Sequence, residues 1–370
     1  MNVIKPGQTI GILGGGQLGR MMATAAKHMG YRIAVLDPAA DCPTAQVADV
    51  HIQAAYDDMK AAEELGSYSD VITYEFENVD AEVSRFFESQ DKLPQGSLSL
   101  AVSQNREKEK GFAEKADIPV PAYRIVQTYE EVKAAIDDIG YPAVMKTISG
   151  GYDGKGQFLL RNEADLADTE KEMADGHYIV EQWLTIDKEV SQVFTRDQQG
   201  KISFFPVAEN VHRDQVLFTT TIPASLEEDG KAEIRKHTEV LAEELGVVGT
   251  FAVEWFVSEG QVYFNEMAPR PHNSGHYTIE ACNVSQFEQH IRAIAGLPLL
   301  PVHAFPAAKM INVLGRHRDA LLQSLDKEEV HLHDYGKKEA RSQRKMGHVT
   351  IIGSSLDDIA KKEPAWMRDW

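Results

Sequence analysis

The sequence predicts an α/β protein of several domains, turning to α+β in its central part, and three observations carry that expectation. Short apolar runs alternate with helical stretches over roughly the first hundred residues, the pattern of a parallel sheet covered by helices. From Glu189 to Met267 the apolar positions recur mostly every second residue, the period of antiparallel strands. The chain has 370 residues, which at about 150 per domain gives two or three domains rather than one.

The elements justify themselves in order. Thr9 to Leu13 (TIGIL) is a short apolar run that stops at three glycines. Leu18, Met21, Met22 and Ala25 then recur at helical spacing from Gln17 to about His28. RIAVLD (Arg32 to Asp37) is a second strand, and VITYEFE (Val71 to Glu77) a later one behind the helix MKAAEEL. The pattern weakens through KLPQGSLS, which marks a boundary. The charged helix NREKEKGFAEKA opens the next unit; its mixed signs between Arg106 and Lys110 predict i,i+4 pairing on an exposed face. After the proline-broken DIPVPAY, Thr128 with Glu131 forms a capping box for a helix to about Ile139. PAVMKT (Pro142 to Thr147) is a strand, Ser149 to Gly156 a glycine-rich loop, and QFLLR a strand again, so the loop reads as a hairpin flap. HYIVEQWL (His177 to Leu184) is one more strand leading into a connector, and a helix covers Lys231 to Leu245. Pro298, Pro301 and Pro306 mark a second boundary before a small C-terminal unit. The expected divisions are residues 1–102, 103–182, 183–298 and 299–370.

Composition narrows the function. Apolar residues make up 43% and charged residues 26%, an ordinary globular balance. The formal net charge of −19 repels a phosphate backbone, so no nucleic-acid or membrane partner is expected. An anionic ligand must be held by local clusters of Lys, Arg and backbone N–H. Cys42 and Cys282 form no CxxC pair and suit a reducing compartment. The N-terminal MNVIKPGQTIGILGGG is too polar and glycine-rich for a secretory signal. No apolar stretch reaches the roughly 18 residues of a membrane span. A cytoplasmic multidomain enzyme is the expectation.

Four constellations carry chemistry. Gly14-Gly15-Gly16-Gln17-Leu18-Gly19 matches GxGxxG between a strand and a helix, with Asp37 closing the next strand where a ribose-binding acid would sit. Taken alone the motif admits a nicotinamide dinucleotide site, an anion site at a helix N-terminus, or mere tight packing. In Gly150-Gly151-Tyr152-Asp153-Gly154-Lys155-Gly156, glycines around a lysine can lay N–H groups along a polyphosphate. It is no Walker A loop, because Gly156 stands where Ser or Thr should follow the lysine; a plain surface hairpin is the alternative. Lys146, just upstream in an apolar strand, needs an anionic partner.

Glu254 and Glu266 lie in two apolar strands joined by SEGQ. A three-residue loop Ser258-Glu259-Gly260 would make them diagonal neighbours on one face, about 7–8 Å apart and able to share magnesium. A two-residue loop would put them on opposite faces, and acids on a wet hairpin face remain the alternative. The loop APRPHNSGH beyond them is a substrate wall or a proline-stiffened connection. Near the C-terminus, Gly336-Lys337-Lys338 and Arg344-Lys345-Met346-Gly347-His348 concentrate cations in an acidic chain, as a monophosphate site or a solvated turn would.

Together these segments resemble the ATP-grasp superfamily, and within it the N5-carboxyaminoimidazole ribonucleotide synthetase family of purine biosynthesis. The likeness runs through GILGGGQLGR, YEFENV, VMKT, GYDGKGQ, EQWL, FAVEWF, NEMAPRPHNSGH, YGK and RKMGH, nearly the whole chain in family order. It implies an ATP-grasp fold: a Rossmann-like pre-ATP domain, small and large ATP-grasp subdomains, and a small C-terminal domain. GxGxxG then belongs to a domain that binds substrate rather than NAD.

The resemblance also implies site roles. Arg106, Lys146, the loop of Gly151, Tyr152, Asp153, Gly154, Lys155, Gly156 and Gln157, and Glu189 would bind the phosphates and ribose of ATP. Glu181, Gln182, Trp183 and Leu184 would form the connector whose backbone reads adenine. His212 and Asn265 would complete the nucleotide site, and Glu254 and Glu266 would hold Mg2+. Aminoimidazole ribonucleotide would touch Gln17, Leu18, Glu75 (or Glu77 in its place), Tyr152, Asp153, Arg270 and His272, with its 5′-phosphate on Lys337, Arg344 and Lys345. Asp153, Lys155 and Arg270 would stand at the reacting atoms, Asp153 taking the surplus proton. The expected reaction joins bicarbonate to the 5-amino group by way of carboxyphosphate, in a homodimer. Alternatives are an ATP-grasp ligase using formate with glycinamide ribonucleotide, a nicotinamide oxidoreductase, and a non-catalytic nucleotide sensor.

Overall fold

The computed structural model describes residues 3–150, 156–173, 176–323, 325 and 330–363. The first sheet is parallel, in the order β3-β2-β1-β4. Its strands are β1 (Thr9–Leu13), β2 (Arg32–Leu36), β3 (Val50–Ile52) and β4 (Val71–Tyr74), with α1 (Gln17–His28) and α2 (Met59–Tyr68) as crossovers. Ile10, Ile12, Ile33, Val35 and Ile72 are solvent-free, as strands covered on both faces require. β4 ends at Tyr74, short of the expected Glu77, so Glu75 and Glu77 leave the ladder at the carboxyl edge of the sheet. Three helices follow: α3 (Ala81–Ser89), α4 (Leu98–Ser103) and α5 (Arg106–Lys115).

A small antiparallel sheet comes next, in the order β5-β8-β6-β7. It comprises β5 (Tyr123–Val126), α6 (Tyr129–Ile139), β6 (Ala143–Thr147), β7 (Gln157–Leu160), α7 (Glu163–Glu172) and β8 (Tyr178–Gln182). Thr128 and Glu131 form the expected capping box at α6, a device contributing about 1 kcal/mol. Lys146 pairs with Gln157 and Ala143 with Leu160, so the glycine-rich loop does connect two paired strands.

The third sheet has nine strands, in the order β14-β13-β9-β11-β12-β15-β17-β16 with β10 on the far half of β9. Its members are β9 (Lys188–Arg196), β10 (Ile202–Phe204), β11 (Ala208–Arg213), β12 (Val216–Ile222), β13 (Gly249–Ser258), β14 (Gln261–Ala268), β15 (Ala307–Leu314), β16 (His331–Asp334) and β17 (Lys345–Gly353). The strands beyond residue 298 therefore continue the same sheet: β15 pairs with β12 through Thr219↔Ile311 to Ile222↔Ala308. Helix α8 (Glu228–Glu244) covers the core around Trp255, whose fully buried ring meets Phe264 edge-on at 5.9 Å. Helices α9 (Thr278–Ala281), α10 (Gln286–Ile294), α11 (Arg318–Leu322) and α12 (Leu356–Lys362) are the remaining α-helices among the described residues.

Helix α10 lies between the first and third sheets, and its His290 ties them together. Thr250 N–H donates to His290 Nδ1 (3.0 Å), which leaves Nε2 to donate to Thr73 Oγ1 (2.8 Å). Thr73 Oγ1 donates to Gln95 Oε1 (2.5 Å), and Gln95 Nε2 to the carbonyl of Pro269 (3.0 Å). Burial holds His290 neutral, with its pKa down near about 3. Each side-chain group along this hydrogen-bond relay thus has its partner, and the relay ends one residue before Arg270.

Candidate active site

The hairpin β13–β14 carries the two acids, and its turn differs from the expected one. Glu259 and Gly260 are the loop, both at positive φ (51° and 78°), and Ser258 pairs with Gln261. That two-residue turn alone would set Glu254 opposite Asn265 and send Glu266 to the other face. Instead the register shifts between Glu254 and Trp255: Trp255 faces Phe264 while Glu254 faces Glu266. Asn265 becomes the extra residue of a β-bulge. The acids are direct cross-strand partners on one face, not the diagonal pair predicted. Trp255 and Phe264 bury together and fix the register beside the turn, so the bulge falls just beyond them.

Among the described residues Arg106 pairs with one of these acids, Glu266. Burial, and then the charge of Glu266, push the Glu254 carboxyl up to about 7. His272 Nε2 lies 3.4 Å from Glu254 Oε1, but burial and the neighbouring Arg270 hold that imidazole well below its ordinary pKa, hence neutral. Arg106 Nη1 reaches Glu266 Oε2 at 3.4 Å. Two adjacent carboxylates, one raised by the other, fit a hard divalent cation such as magnesium.

The acids line a cavity of about 540 Å³. One part of its wall is apolar, from Val144, Trp183, Leu184, Ile186, Phe256 and Met267, a slot suited to a flat base. Around it stand Arg106, Lys146, Gln157, Glu181, Gln182, Glu189, His212 and Asn265, each among the residues predicted for the nucleotide. His212 Nδ1 sits 2.6 Å from Glu189 Oε2; burial opposes its charge, yet the Glu189 carboxylate prevails and raises its pKa.

The charged run of α5 corrects the sequence reading. Glu109 and Lys110 are 3% and 1% exposed, not part of a solvated, self-paired face. Glu109 Oε1 accepts the Met267 N–H at 2.6 Å, and Lys110 Nζ lies 3.5 Å from Glu181 Oε2. Arg106, Glu109, Lys110 and Ala113 follow i, i+3, i+4, i+7 spacing, a face that periodicity could have revealed had charge not been taken as exposure.

The opposite part of the cavity belongs to the first sheet and to the loop after β14. Gln17 and Leu18, opening α1, line it with Glu77, Arg270, His272 and Lys345. Glu75 is engaged elsewhere: its carboxylate accepts the N–H groups of Gly16 and Gly19 (the latter at 2.8 Å). Asp37 in turn accepts from Gly15 N–H (2.7 Å) and Tyr56 Oη (2.6 Å). The amides that a dinucleotide pyrophosphate would need are thus filled by the protein's own acids, which answers the nicotinamide reading of GxGxxG. Glu77 pairs with Arg270.

Gln286 grips the loop at His272, accepting its N–H (2.9 Å) and donating to its carbonyl (2.7 Å). A Cβ on Gly275 would lie 2.4 Å from Gln286 Oε1, so a side chain there would displace the Gln286 amide. Asn273 and Asn312 exchange reciprocal amide bonds of 3.0 and 2.7 Å that pin the same loop to β15.

Of the C-terminal cations, Lys345 lines the cavity. Lys337 Nζ donates to the Lys345 carbonyl (2.8 Å), and Arg344 Nη1 to the Glu339 carbonyl (3.1 Å). Burial, then Arg344, bring the Lys337 ammonium down to about 8. The predicted Gly151, Tyr152, Asp153, Gly154 and Lys155 lie outside the described residues; Gly156, at φ 74°, lies within them.

Away from the cavity, Glu280, His333 and His348 bring three donor atoms within 4.8 Å of one another. The two imidazoles stack at 13° with centroids 4.5 Å apart, so their in-plane lone pairs run side by side instead of converging on one ion. Among the described residues no helix is long and apolar enough to cross a membrane.

Comparisons with known proteins cover the same ground. Residues 7–104 match the model of the ribonucleotide synthetase preATP-grasp domain, residues 111–287 that of the ATP-grasp domain, and residues 308–362 that of the phosphoribosylaminoimidazole carboxylase C-terminal domain. The N5-carboxyaminoimidazole ribonucleotide synthase of Bacillus subtilis is 45% identical over 370 residues, spanning 99% of this chain and 97% of its own. The solved N5-carboxyaminoimidazole synthetase of Staphylococcus aureus complexed with ADP superposes with a TM-score of 0.95 at 43% identity, covering 99% of each chain. The Aspergillus clavatus enzyme in complex with ADP and 5-aminoimidazole ribonucleotide gives a TM-score of 0.91 at 26% identity, covering 98% of each chain.

Proposed function

The chain belongs to the N5-carboxyaminoimidazole ribonucleotide synthase family of ATP-grasp ligases, and on that premise we propose how its residues divide the work. The protein uses ATP to carboxylate 5-aminoimidazole ribonucleotide in purine biosynthesis, with bicarbonate as the carbon source. The observation that carries the assignment of roles is the single cavity joining the acid pair and apolar slot to Gln17, Arg270 and His272.

In this reading the connector Glu181–Leu184 holds adenine along its backbone, and Glu189 with His212 takes the ribose. Arg106, Lys146 and Lys155 neutralise the phosphates, with Asn265 beside them. Glu254 and Glu266 hold magnesium, which when bound supplies further positive charge at the triphosphate. A bicarbonate oxygen attacks the γ-phosphorus, the bond to ADP breaks, and carboxyphosphate remains. The 5-amino nitrogen, placed by Arg270 and His272, then attacks that carboxyl carbon or CO2 released from it. The C–N bond forms, phosphate leaves, and the amine's surplus proton passes to Asp153. Glu77, the alternative to Glu75, touches the ribonucleotide, and Lys337, Arg344 and Lys345 receive its 5′-phosphate. We read the protein as a cytoplasmic homodimer: Cys42 and Cys282 are both free thiols, as a reducing compartment allows, and the dimer follows from the resemblance.

The test is ADP formation from Mg-ATP in carbonate-depleted buffer with aminoimidazole ribonucleotide, with and without bicarbonate, beside glycinamide ribonucleotide plus formate. Labelled bicarbonate entering an acid-labile product is the expected result. Turnover with formate alone would move the protein to the transformylase reading. Asp153→Asn should keep its ATP affinity and lose carboxylation; normal turnover would remove Asp153 from the mechanism.

A further inference from the structure

Helix α5 reaches both walls of the nucleotide site. Arg106 and Glu109 engage Glu266 and the Met267 N–H on β14, while Lys110 reaches Glu181 on β8. Lys110 and Lys146 share one oxygen, Glu181 Oε2, at 3.5 and 2.9 Å. The side chains of Lys110, Lys146 and Glu181 are 2%, 11% and 2% exposed. Lys146 and Glu181 line the cavity, and Lys110 stands behind them. The arrangement is unevenly satisfied: Glu181 Oε1 and Lys110 Nζ are buried without a hydrogen-bond partner among the described residues. Only the Lys146 contact has hydrogen-bond geometry.

The reading of Lys146 as a phosphate ligand, on which this inference rests, asks its ammonium to turn from Glu181 to a nucleotide. A buried carboxylate stripped of its hydrogen-bonded cation resists that strongly. We propose that Lys110 is the positioning residue that permits the exchange: as Lys146 turns to the phosphates, Lys110 closes on Glu181 and keeps the head of the adenine connector in place. The free valences are where such a hand-over needs them, one on the acid and one on the incoming lysine. Glu181 also pairs through its backbone with both Tyr123 and Val144, which sets it in the middle of the small sheet.

Trp183, which lines the cavity and is 45% exposed, reports nucleotide binding by fluorescence. ATP dissociation constants, KM and kcat are measured for the parent, Lys110→Met, Glu181→Gln, the Lys110→Met/Glu181→Gln double variant and Lys146→Met. Lys110→Met should weaken ATP binding and raise its KM about tenfold or more, with kcat within about threefold, because Lys146 stays locked on the acid. In the Glu181→Gln background the same change should alter ATP affinity by less than about threefold, since an amide needs no counter-ion.

A folded Lys110→Met that melts lower yet binds ATP like the parent overturns the proposal, as that marks a merely structural lysine. So does a tenfold loss on adding Lys110→Met to Glu181→Gln, a comparison that holds even if the single Lys110→Met chain does not fold. Lys146→Met separates the two levels. If it binds ATP normally, the phosphate reading of Lys146 fails, and the exchange with it; if it binds weakly while Lys110→Met does not, only the exchange fails.

Discussion

Replacing Glu254 by glutamine should stabilise the metal-free protein, by about 3 kcal/mol at pH 8 and about 1 kcal/mol at pH 5. Burial and the facing Glu266 raise the Glu254 carboxyl to about 7 from an ordinary 4.5, and each unit of such a shift corresponds to about 1.4 kcal/mol. The folded state therefore holds this proton more tightly than the unfolded state does. The stability tied to the protonated form is fully present below about 4.5 and is lost as pH rises through about 7. Glutamine keeps the shape and the neutral state, so the gap between variant and parent opens with pH. Little is lost to solvent screening, because the side chain is only 13% exposed.

The assay is calorimetric or denaturant unfolding in EDTA at several pH values between 5 and 8, repeated with magnesium. For a chain of this length unfolding as one unit, the gap at pH 8 corresponds to about 4 °C in Tm. Magnesium should stabilise the parent more than the variant and close the gap. A variant no more stable than the parent at pH 8, or a gap that does not shrink toward pH 5, would refute the crowded-acid argument.

Three further outcomes are expected. With Lys337 brought down to about 8 by burial and Arg344, the ammonium is charged below that value and neutral above it. KM for the ribonucleotide should then climb above pH 8, by up to about tenfold per unit, and Lys337→Arg, whose guanidinium stays charged, should flatten the profile. Gly275→Ala drives a methyl into Gln286, so denaturation should show a loss of about 1–3 kcal/mol, with KM for the ribonucleotide rising more than that for ATP as His272 loses its grip. His290→Phe leaves the Thr250 N–H and the Thr73–Gln95 pair short of a partner. Unfolding should show about 2–4 kcal/mol of destabilisation, and unchanged stability would mean that the buried chain to Pro269 contributes nothing.

Much of this molecule is local, and what is local was legible. The halt of β1 at three glycines, the capping box at Thr128 and Glu131, and the period-two runs of β13 and β14 follow from interactions within a few residues, which any stretch of chain carries with it. The acid pair was legible as a pair, because a charge inside an apolar strand needs a partner wherever it folds; Arg106, Gln157, Glu189 and Asn265 were expected only from the resemblance.

What the tertiary structure alone decided depends on distant segments. The bulge at Asn265 arises because Trp255 and Phe264 lock together in the core while the turn beyond them closes in two residues. Lys110 reads as a surface lysine until Glu181, 71 positions on, supplies the carboxylate that keeps it buried. Whether Glu75 or Glu77 faces the cavity turns on which acid the amides of α1 capture first. Thr73 and His290 stand 217 residues apart. Propensity is set by near neighbours; the burial of a charge is set by the partner that meets it, and only folding chooses that partner.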